Sequence, residues 1–374
     1  MNGHGCHQNH HNQMRSAHAD RLDTSKCPRL IAWEMTSTCN LKCVHCRACA
    51  PSERPPGELT LAQSKAFLDD VATMAGKPIM ILTGGEPLIH PEFFQILEHA
   101  HSLKMNTVLA TNGTLIDGDT AARLFSLGIS RASISIDGMD AKEHDDFRKV
   151  QGSFEASLKG IKIMQNAGIK IQMNTTISKR NFASIEKIFD LGVSLDMAAI
   201  HIFLLVPTGR AENMKGDEIS PAEYEKVLNW FYDKKKEVGD RVNLKATCAP
   251  HYYRIMRQRA KADGIEVAFN TFGPDAVTRG CLAGCGFAFV SSTGQVQGCG
   301  YMPVPAGNIK QEPFSKIYQD SEFFTRLRDL SNLKGKCGKC EYRAVCGGCR
   351  ARALAATGDC FDEEPYCDYI PAKL

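Results

Sequence analysis

From residue 30 onward, short apolar runs alternate with longer stretches whose apolar residues recur at helical spacing. The runs at 30–35, 79–83, 107–111, 132–136, 171–176 and 200–206 are rich in Ile, Val, Leu and Thr, which suits buried strands. Between them, 61–74, 93–101, 120–127, 154–167 and 182–191 carry one apolar stripe each and read as helices packed by one face. Pro91 and Pro221 stand where a helix tolerates proline, in its first turn. Regular strand–helix alternation implies parallel strands joined by right-handed crossovers. Six such units predict an α/β fold, a partial (β/α)6 barrel related to the TIM barrel.

The polar and glycine-rich residues fall just after the strands. Cys39 to Cys46 follow the first, Gly84-Gly85-Glu86-Pro87 the second and Thr111-Asn112-Gly113 the third. Asp137-Gly138 follow the fourth, and Pro207-Thr208-Gly209-Arg210 the sixth. Barrel chemistry sits on that C-terminal rim, so the pattern alone locates the active site.

The character changes after about residue 215. Helical segments at 224–236 and 252–262 lead into a stretch dense in Gly and Cys from 280 to the end. That stretch has too few long apolar elements to build a large core, so metal must replace core there. The expected organisation is a disordered tail over 1–28, a barrel over 29–240, a bridging helical segment over 241–280 and a cysteine-rich unit over 281–374. The tail holds His4, His7, His10, His11, His18 and Cys6 among polar residues and carries no catalytic expectation.

Composition narrows the class. Hydrophobic content of 43% and charged content of 23% suit an ordinary globular protein. A net charge of +3, with no basic stripe interleaved with aromatics, gives no reason to expect nucleic acid. No run approaches the ~18 apolar residues that cross a bilayer. The first 26 residues lack the apolar centre of a signal peptide, so a cytoplasmic protein acting as a monomer is expected. Sixteen cysteines are then the informative number. In a reducing compartment, thiolates clustered at short spacing hold metal more often than they form disulfides.

The sharpest motif is Cys39-x3-Cys43-x2-Cys46. Three thiolates at this spacing can hold three irons of a [4Fe–4S] cluster and leave the fourth open, whereas zinc normally asks for four ligands. Cys49, three residues on, confuses the count. The motif resembles the signature of the radical S-adenosylmethionine (SAM) superfamily, in which the open iron is chelated by the methionyl amine and carboxylate. The resemblance implies a 5′-deoxyadenosyl radical that removes a hydrogen atom from substrate. Gly84-Gly85-Glu86-Pro87 matches the family's GGEP segment, which binds the methionyl ammonium. This implies Glu86 as an acceptor, with the backbone of Gly84 and Gly85 and the nearby Asn112 around the cofactor. Taken alone the segment is also what a plain strand-to-helix turn looks like. Ser135 and Arg148 match positions that contact the cofactor's ribose and carboxylate, and a guanidinium suits a carboxylate chemically.

The C-terminal cysteines read Cys281-x3-Cys285-x13-Cys299, then Cys337-x2-Cys340-x5-Cys346-x2-Cys349, then Cys360 and Cys367. Zinc ribbons separate their pairs by about 15–20 residues, so this spacing is too tight for them. The arrangement resembles the SPASM extension of radical SAM enzymes. There, Cys337, Cys340, Cys346 and Cys367 would ligate one auxiliary [4Fe–4S] cluster. Cys281, Cys299 and Cys349 would serve another, with Cys285 as fourth ligand. The Cys346–Cys349 gap and the nearness of Cys285 to Cys281 depart from the usual pattern, which leaves one or two auxiliary clusters open.

Further stretches resemble one subgroup: residues 31–36, 201–210, 228–232, 245–254 and 347–353 look like the heme b synthases of the siroheme-dependent heme route. That likeness spans roughly residues 29–371. It implies oxidative decarboxylation of two propionates of iron-coproporphyrin III to vinyls, with an auxiliary cluster as electron sink and an electron donor and acceptor still to be identified. A substrate with four carboxylates needs cations, so Arg210, His251 and Arg254 are expected to pair with it and Tyr252 to stack on it. On a helix the same run is also what partly buried packing looks like. The alternatives are a tetrapyrrole enzyme of the heme d1 type or a SPASM peptide-modifying maturase. Against the latter, only ~28 polar residues precede the barrel, too few for a peptide-clasping domain. A mere iron–sulfur electron carrier would need no open iron.

Overall fold

The computed structural model describes residues 23–214 and 216–372. Ten strands form one sheet: β1 (Leu30–Glu34), β2 (Ile79–Thr83), β3 (Thr107–Thr111), β4 (Arg131–Ser135), β5 (Lys170–Ile177), β6 (Ala199–Leu204), β7 (Asn243–Thr247), β8 (Phe287–Val290), β9 (Gln295–Cys299) and β10 (Met302–Asn308). Their spatial order is β10-β9-β8-β1-β2-β3-β4-β5-β6-β7. The six expected strands are present and parallel, each within two residues of its predicted ends. Two more parallel strands extend them. β7 pairs with β6, so the segment over 241–280 opens with a strand where only helix was expected. β8 pairs with β1 from the other side, and the β9–β10 hairpin continues that edge.

The crossover helices are α1 (Leu61–Ala72), α2 (Phe93–Ser102), α3 (Gly118–Ser126), α4 (Ala141–Arg148), α5 (Ser153–Asn166) and α6 (Ile185–Ser194); α7 (Pro221–Val238) and α8 (His251–Ala262) follow β6 and β7. The polar α4 has no apolar stripe for periodicity to detect, and its existence was not predicted. Capping explains several starts. Thr60 and Gln63 form a reciprocal capping box at α1, as Ser220 and Glu223 do at α7, each worth about 1 kcal/mol.

Burial alternates along the strands. Met80 and Leu82 of β2, Ala132 and Ile134 of β4 and Ile171 and Met173 of β5 are buried, facing the helix layer. The alternate set is half-buried and, from β4 to β6, largely polar: Ser133, Ser135, Gln172, Asn174, Thr176 and His201. A parallel sheet covered by core on both faces would be apolar throughout. Its polar inner face marks the interior as a place for ligand.

One continuous apolar core runs from Cys27 to Phe361 and includes Phe314, Tyr318 and Phe324 after the hairpin. The cysteine-rich unit therefore shares the barrel's core. Of the expected tail, the histidines and Cys6 lie outside the described residues. Within residues 23–28, Cys27 and Pro28 are buried, and Tyr318 Oη donates to the Thr24 carbonyl at 2.6 Å.

Candidate active site and cluster sites

The loop after β1 is tied to the turn after β2. The N–H groups of Gly85 and Glu86 donate to the carbonyls of Thr36 and Thr38, each at 2.8 Å. A Cβ on Gly84 would stand 2.5 Å from Thr36 O, and one on Gly85 would stand 2.2 Å from Thr38 O. The close approach that these glycines permit is thus to the chain entering the cysteine loop. The expectation that their backbone serves the cofactor directly is corrected to this extent: the Gly85 donor is spent holding the loop.

Glu86 is fully buried and accepts from Thr111 Oγ1 (2.8 Å), Asn112 N (2.8 Å) and Leu88 N (3.2 Å). Burial pushes its carboxyl up to about 7, against the pull of those donors. Asn112 Nδ2 donates to Asn40 Oδ1 at 2.8 Å and lies 3.9 Å from Cys39 Sγ. The ends of β2 and β3 therefore meet beside the first cysteine. Cys39 Sγ also accepts from Leu41 N at 3.4 Å.

Arg148, at the end of α4, donates from Nη1 to Cys43 Sγ at 3.4 Å and forms a buried ion pair with Asp137. Asp137 carries a further load, accepting from Thr176 N at 2.6 Å. The expected free partner for a cofactor carboxylate is thus already engaged, by Asp137 and the Cys43 thiol. Ser135 ends β4 on the half-buried inner face, opposite Asn174 of β5. Arg210 departs from expectation too. Its Nε donates to Cys43 O at 2.8 Å and its Nη1 to Ala50 O at 3.1 Å, so it braces the cysteine loop. His45 sits inside that loop with its ring centroid 4.6 Å from Phe147, and burial beside Arg148 and Arg210 holds it neutral. His45 and Asp137 were not singled out from the sequence; their position between motif cysteines and after β4 was the available signal.

The donor set suits a [4Fe–4S] cluster: three cysteines on one loop, sulfur-directed N–H donors from Leu41 and Arg148, and buried donors still without a partner at Arg148 Nε and Arg210 Nη2.

A second group lies around the C-terminal motif. Cys337, Cys340, Cys346 and Cys367 line one small cavity together with His251, Arg254 and Glu364. Backbone N–H groups of Glu364, Tyr342 and Gly348 point at the sulfurs of Cys337, Cys340 and Cys346 at 3.3, 3.4 and 3.5 Å. Convergent thiols with amide donors are what an iron–sulfur cluster asks for. Glu364 is fully buried. It is clamped by Arg352 at 2.9 and 3.2 Å and accepts from Cys349 N at 2.7 Å, and its carboxyl stays at about 2 because Arg352 and His251 outweigh its burial.

The expected substrate run on α8 is buried. Tyr252 is 1% exposed and packs edge-on against Phe231. Arg254 is paired with Glu225 and stacked on Tyr369, 4.8 Å from its centroid. His251 is buried, with no hydrogen-bond partner for either ring nitrogen. None of the three offers an open face to a macrocycle: Tyr252 belongs to the core, and His251 and Arg254 line the cavity of the four cysteines.

All fifteen cysteines of the described residues are free thiols. No group of three histidine, cysteine or acidic side chains among the described residues converges on a single metal-ion centre. That excludes little here, because a cubane spreads its thiolates over different irons.

Thiols on the barrel rim, a tied GGE turn and a cysteine cage in the same core define an iron–sulfur enzyme of one class. Residues 33–192 match the model of the Radical SAM superfamily and residues 281–350 that of SPASM, an iron–sulfur cluster-binding domain, and the chain belongs to this family. It is accordingly a [4Fe–4S] and S-adenosylmethionine protein with auxiliary cluster binding. It is 53% identical to the AdoMet-dependent heme synthase of Methanosarcina barkeri over 93% of this chain and 99% of that protein. It is 49% identical to the AdoMet-dependent heme synthase of Nitratidesulfovibrio vulgaris over 96% and 98%. Among solved structures, Streptococcus suis SuiB bound to S-adenosylmethionine superposes with a TM-score of 0.72 over 99% of this chain and 84% of that chain, at 16% identity, a likeness of fold.

Proposed function

We propose that the chain converts iron-coproporphyrin III to heme b by oxidative decarboxylation of two propionates. The observation that carries this reading is the full-length likeness to AdoMet-dependent heme synthases. When bound, the reduced cluster with S-adenosylmethionine supplies the hydrogen-abstracting 5′-deoxyadenosyl radical. The chain's own residues supply position and a dry surrounding. Cys39, Cys43 and Cys46 hold three irons, Arg148 and Arg210 keep their loop in place, and Glu86 and Asn112 face the cofactor. Each propionate loses a hydrogen atom from the carbon beta to its carboxylate, then carbon dioxide and one electron, which leaves a vinyl. That electron needs an acceptor, which an auxiliary cluster held by Cys337, Cys340, Cys346 and Cys367 would supply. Helices long and apolar enough to cross a membrane are absent from the described residues, and the reduced thiols suit a cytoplasmic setting.

The test is direct. Anaerobically reconstituted protein with dithionite, S-adenosylmethionine and iron-coproporphyrin III is expected to show two successive losses of the elements of formic acid by mass spectrometry. Formation of 5′-deoxyadenosine with the porphyrin intact would keep the class and sink the substrate.

The Glu86 carboxyl at about 7 adds a pH dependence. Only the carboxylate accepts the methionyl ammonium, so affinity should strengthen as pH rises through 7. Between pH 6 and 7.5 the ionised fraction rises roughly eightfold, and the dissociation constant for S-adenosylmethionine should tighten by about that factor. Calorimetry on Glu86→Gln should show weaker binding and a flat profile; a wild-type profile that is already flat would remove Glu86 from this role.

A further inference from the structure

Arg210 is spent on the cysteine loop and Arg254 on Glu225, so the carboxylates of the proposed substrate still need cations. The inner face of the barrel supplies them. Ile202, Leu244 and Ala246 point into the core, so His201 of β6 and Lys245 of β7 point the other way. The register sets Ser135, Asn174, His201 and Lys245 side by side across β4 to β7. This row spans three strand spacings, about 14 Å along the sheet. At Lys245 it lies two residues, about 7 Å, below the end of β7. Arg131 Nη2 donates to Gln172 Oε1 at 3.2 Å, and Gln172 Nε2 donates to Asn174 Oδ1 at 2.8 Å. A relay of side-chain amides therefore leads from a further cation into the row.

The row carries no carboxylate of its own. Strands β2 to β7 contain no Asp or Glu at any position. The side chains of His201 and Lys245 are half-buried, and among the described residues neither has a hydrogen bond or an ion pair. The carboxylate whose charge reaches Lys245 is that of Asp275. It is already bound by Lys235 at 2.6 Å and accepts from Tyr253 Oη at 3.2 Å. Burial, with Lys245 and Arg131 nearby, pushes the His201 imidazole down to about 3, so the ring is neutral and offers one N–H donor. An interior lysine without a counter-ion is costly unless a ligand completes it.

We infer that Lys245 and His201 form a carboxylate-binding wall inside the barrel, which grips a propionate of the tetrapyrrole remote from the one under attack. This deepens the proposed function and rests on its reading of the substrate as a tetrapyrrole carboxylate. The Lys245 ammonium supplies the charge and the His201 ring a directed N–H. The Arg131 guanidinium adds a second positive charge behind Gln172 and Asn174. Ser135, expected at the cofactor's ribose, ends the same row. A macrocycle anchored by one carboxylate at Lys245 therefore extends along the row toward the cofactor. Hydrogen abstraction at one chosen carbon needs that carbon fixed, and a remote charged anchor fixes it without touching the reacting group.

The experiment titrates iron-coproporphyrin III and its tetramethyl ester into the full-length, anaerobically reconstituted protein and follows the porphyrin absorption. Wild type should bind the acid roughly tenfold or more tightly than the ester, the worth of one charge-assisted hydrogen bond. Lys245→Met should weaken binding of the acid by about the same factor and leave binding of the ester unchanged. Lys245→Arg should recover most of the loss, and His201→Phe should show a smaller one. All three variants should keep wild-type iron and the EPR change that S-adenosylmethionine induces in the rim cluster, which reports an intact barrel. Equal affinity of wild type for acid and ester, or full affinity of Lys245→Met for the acid, would overturn the assignment. Where Lys245→Met does not fold, Lys245→Gln and the acid–ester comparison on wild type decide. Failure of the heme reading alone would look different: the acid binds through Lys245 and the porphyrin stays intact. A wild type that does not bind the acid would overturn both.

Discussion

Cys43→Ala is expected to abolish both 5′-deoxyadenosine release and porphyrin conversion, a loss on the order of a thousandfold or more. Cys43 is the buried member of the rim triad and the thiol that Arg148 touches at 3.4 Å. On the proposed ligand set the cluster then loses one of three protein ligands, and with it the one-electron route to the cofactor. The Arg148 guanidinium also loses a partner in a place closed to water, which adds to the disturbance of the loop. Iron analysis separates this from general unfolding. The variant should lose roughly one cluster's iron and keep the auxiliary signals. Retained 5′-deoxyadenosine formation would place the radical chemistry elsewhere.

Glu364→Ala should destabilise the protein by about 3–5 kcal/mol, because it leaves Arg352 buried and unpaired. Arg352 and Glu364 are both fully buried, and Tyr224 lies under the guanidinium at 5.3 Å from its ring centroid. The same carboxylate accepts Cys349 N, and its own N–H points at Cys337 Sγ, so one residue ties the Cys349 backbone to the Cys337 thiol. A second consequence follows: iron bound by the C-terminal cysteines should fall while the rim cluster stays loaded. The double variant Arg352→Met/Glu364→Leu should recover part of the stability, since no charge is then stranded, but less of the iron, since the amide of Cys349 remains without its acceptor. Thermal unfolding under anaerobic conditions and iron per chain measure the two effects separately. Equal recovery of both would reduce Glu364 to a packing residue.

Much of this protein was legible in one dimension wherever the physics is local. Strand β2 (Ile79–Thr83) and helix α1 (Leu61–Ala72) were visible because short apolar runs and a 3.6-residue stripe state their burial in the sequence. The rim could be located because Cys39, Gly85 and Asn112 each follow a strand directly. The grouping of Cys337, Cys340, Cys346 and Cys367 came from the SPASM resemblance, and the four line one cavity. α4 was not legible, because Asp140 caps a helix whose charged sequence has no apolar period.

The amino-acid sequence by itself determined the parallel α/β barrel, its cysteine loop and the metal-dependent character of the C-terminal unit, since propensity, periodicity and thiol spacing act over a few residues. Only the tertiary structure decided which distant groups share a site. It joined Arg148 to Cys43 across 105 positions and set Arg210 on the cysteine loop. It buried Tyr252 in the core and paired Arg254 with Glu225. It turned Cys285 toward Arg279. The reason is that crossovers and the pairing of β7 with β6 and β8 with β1 set these distances. Spacing along the chain does not report that pairing.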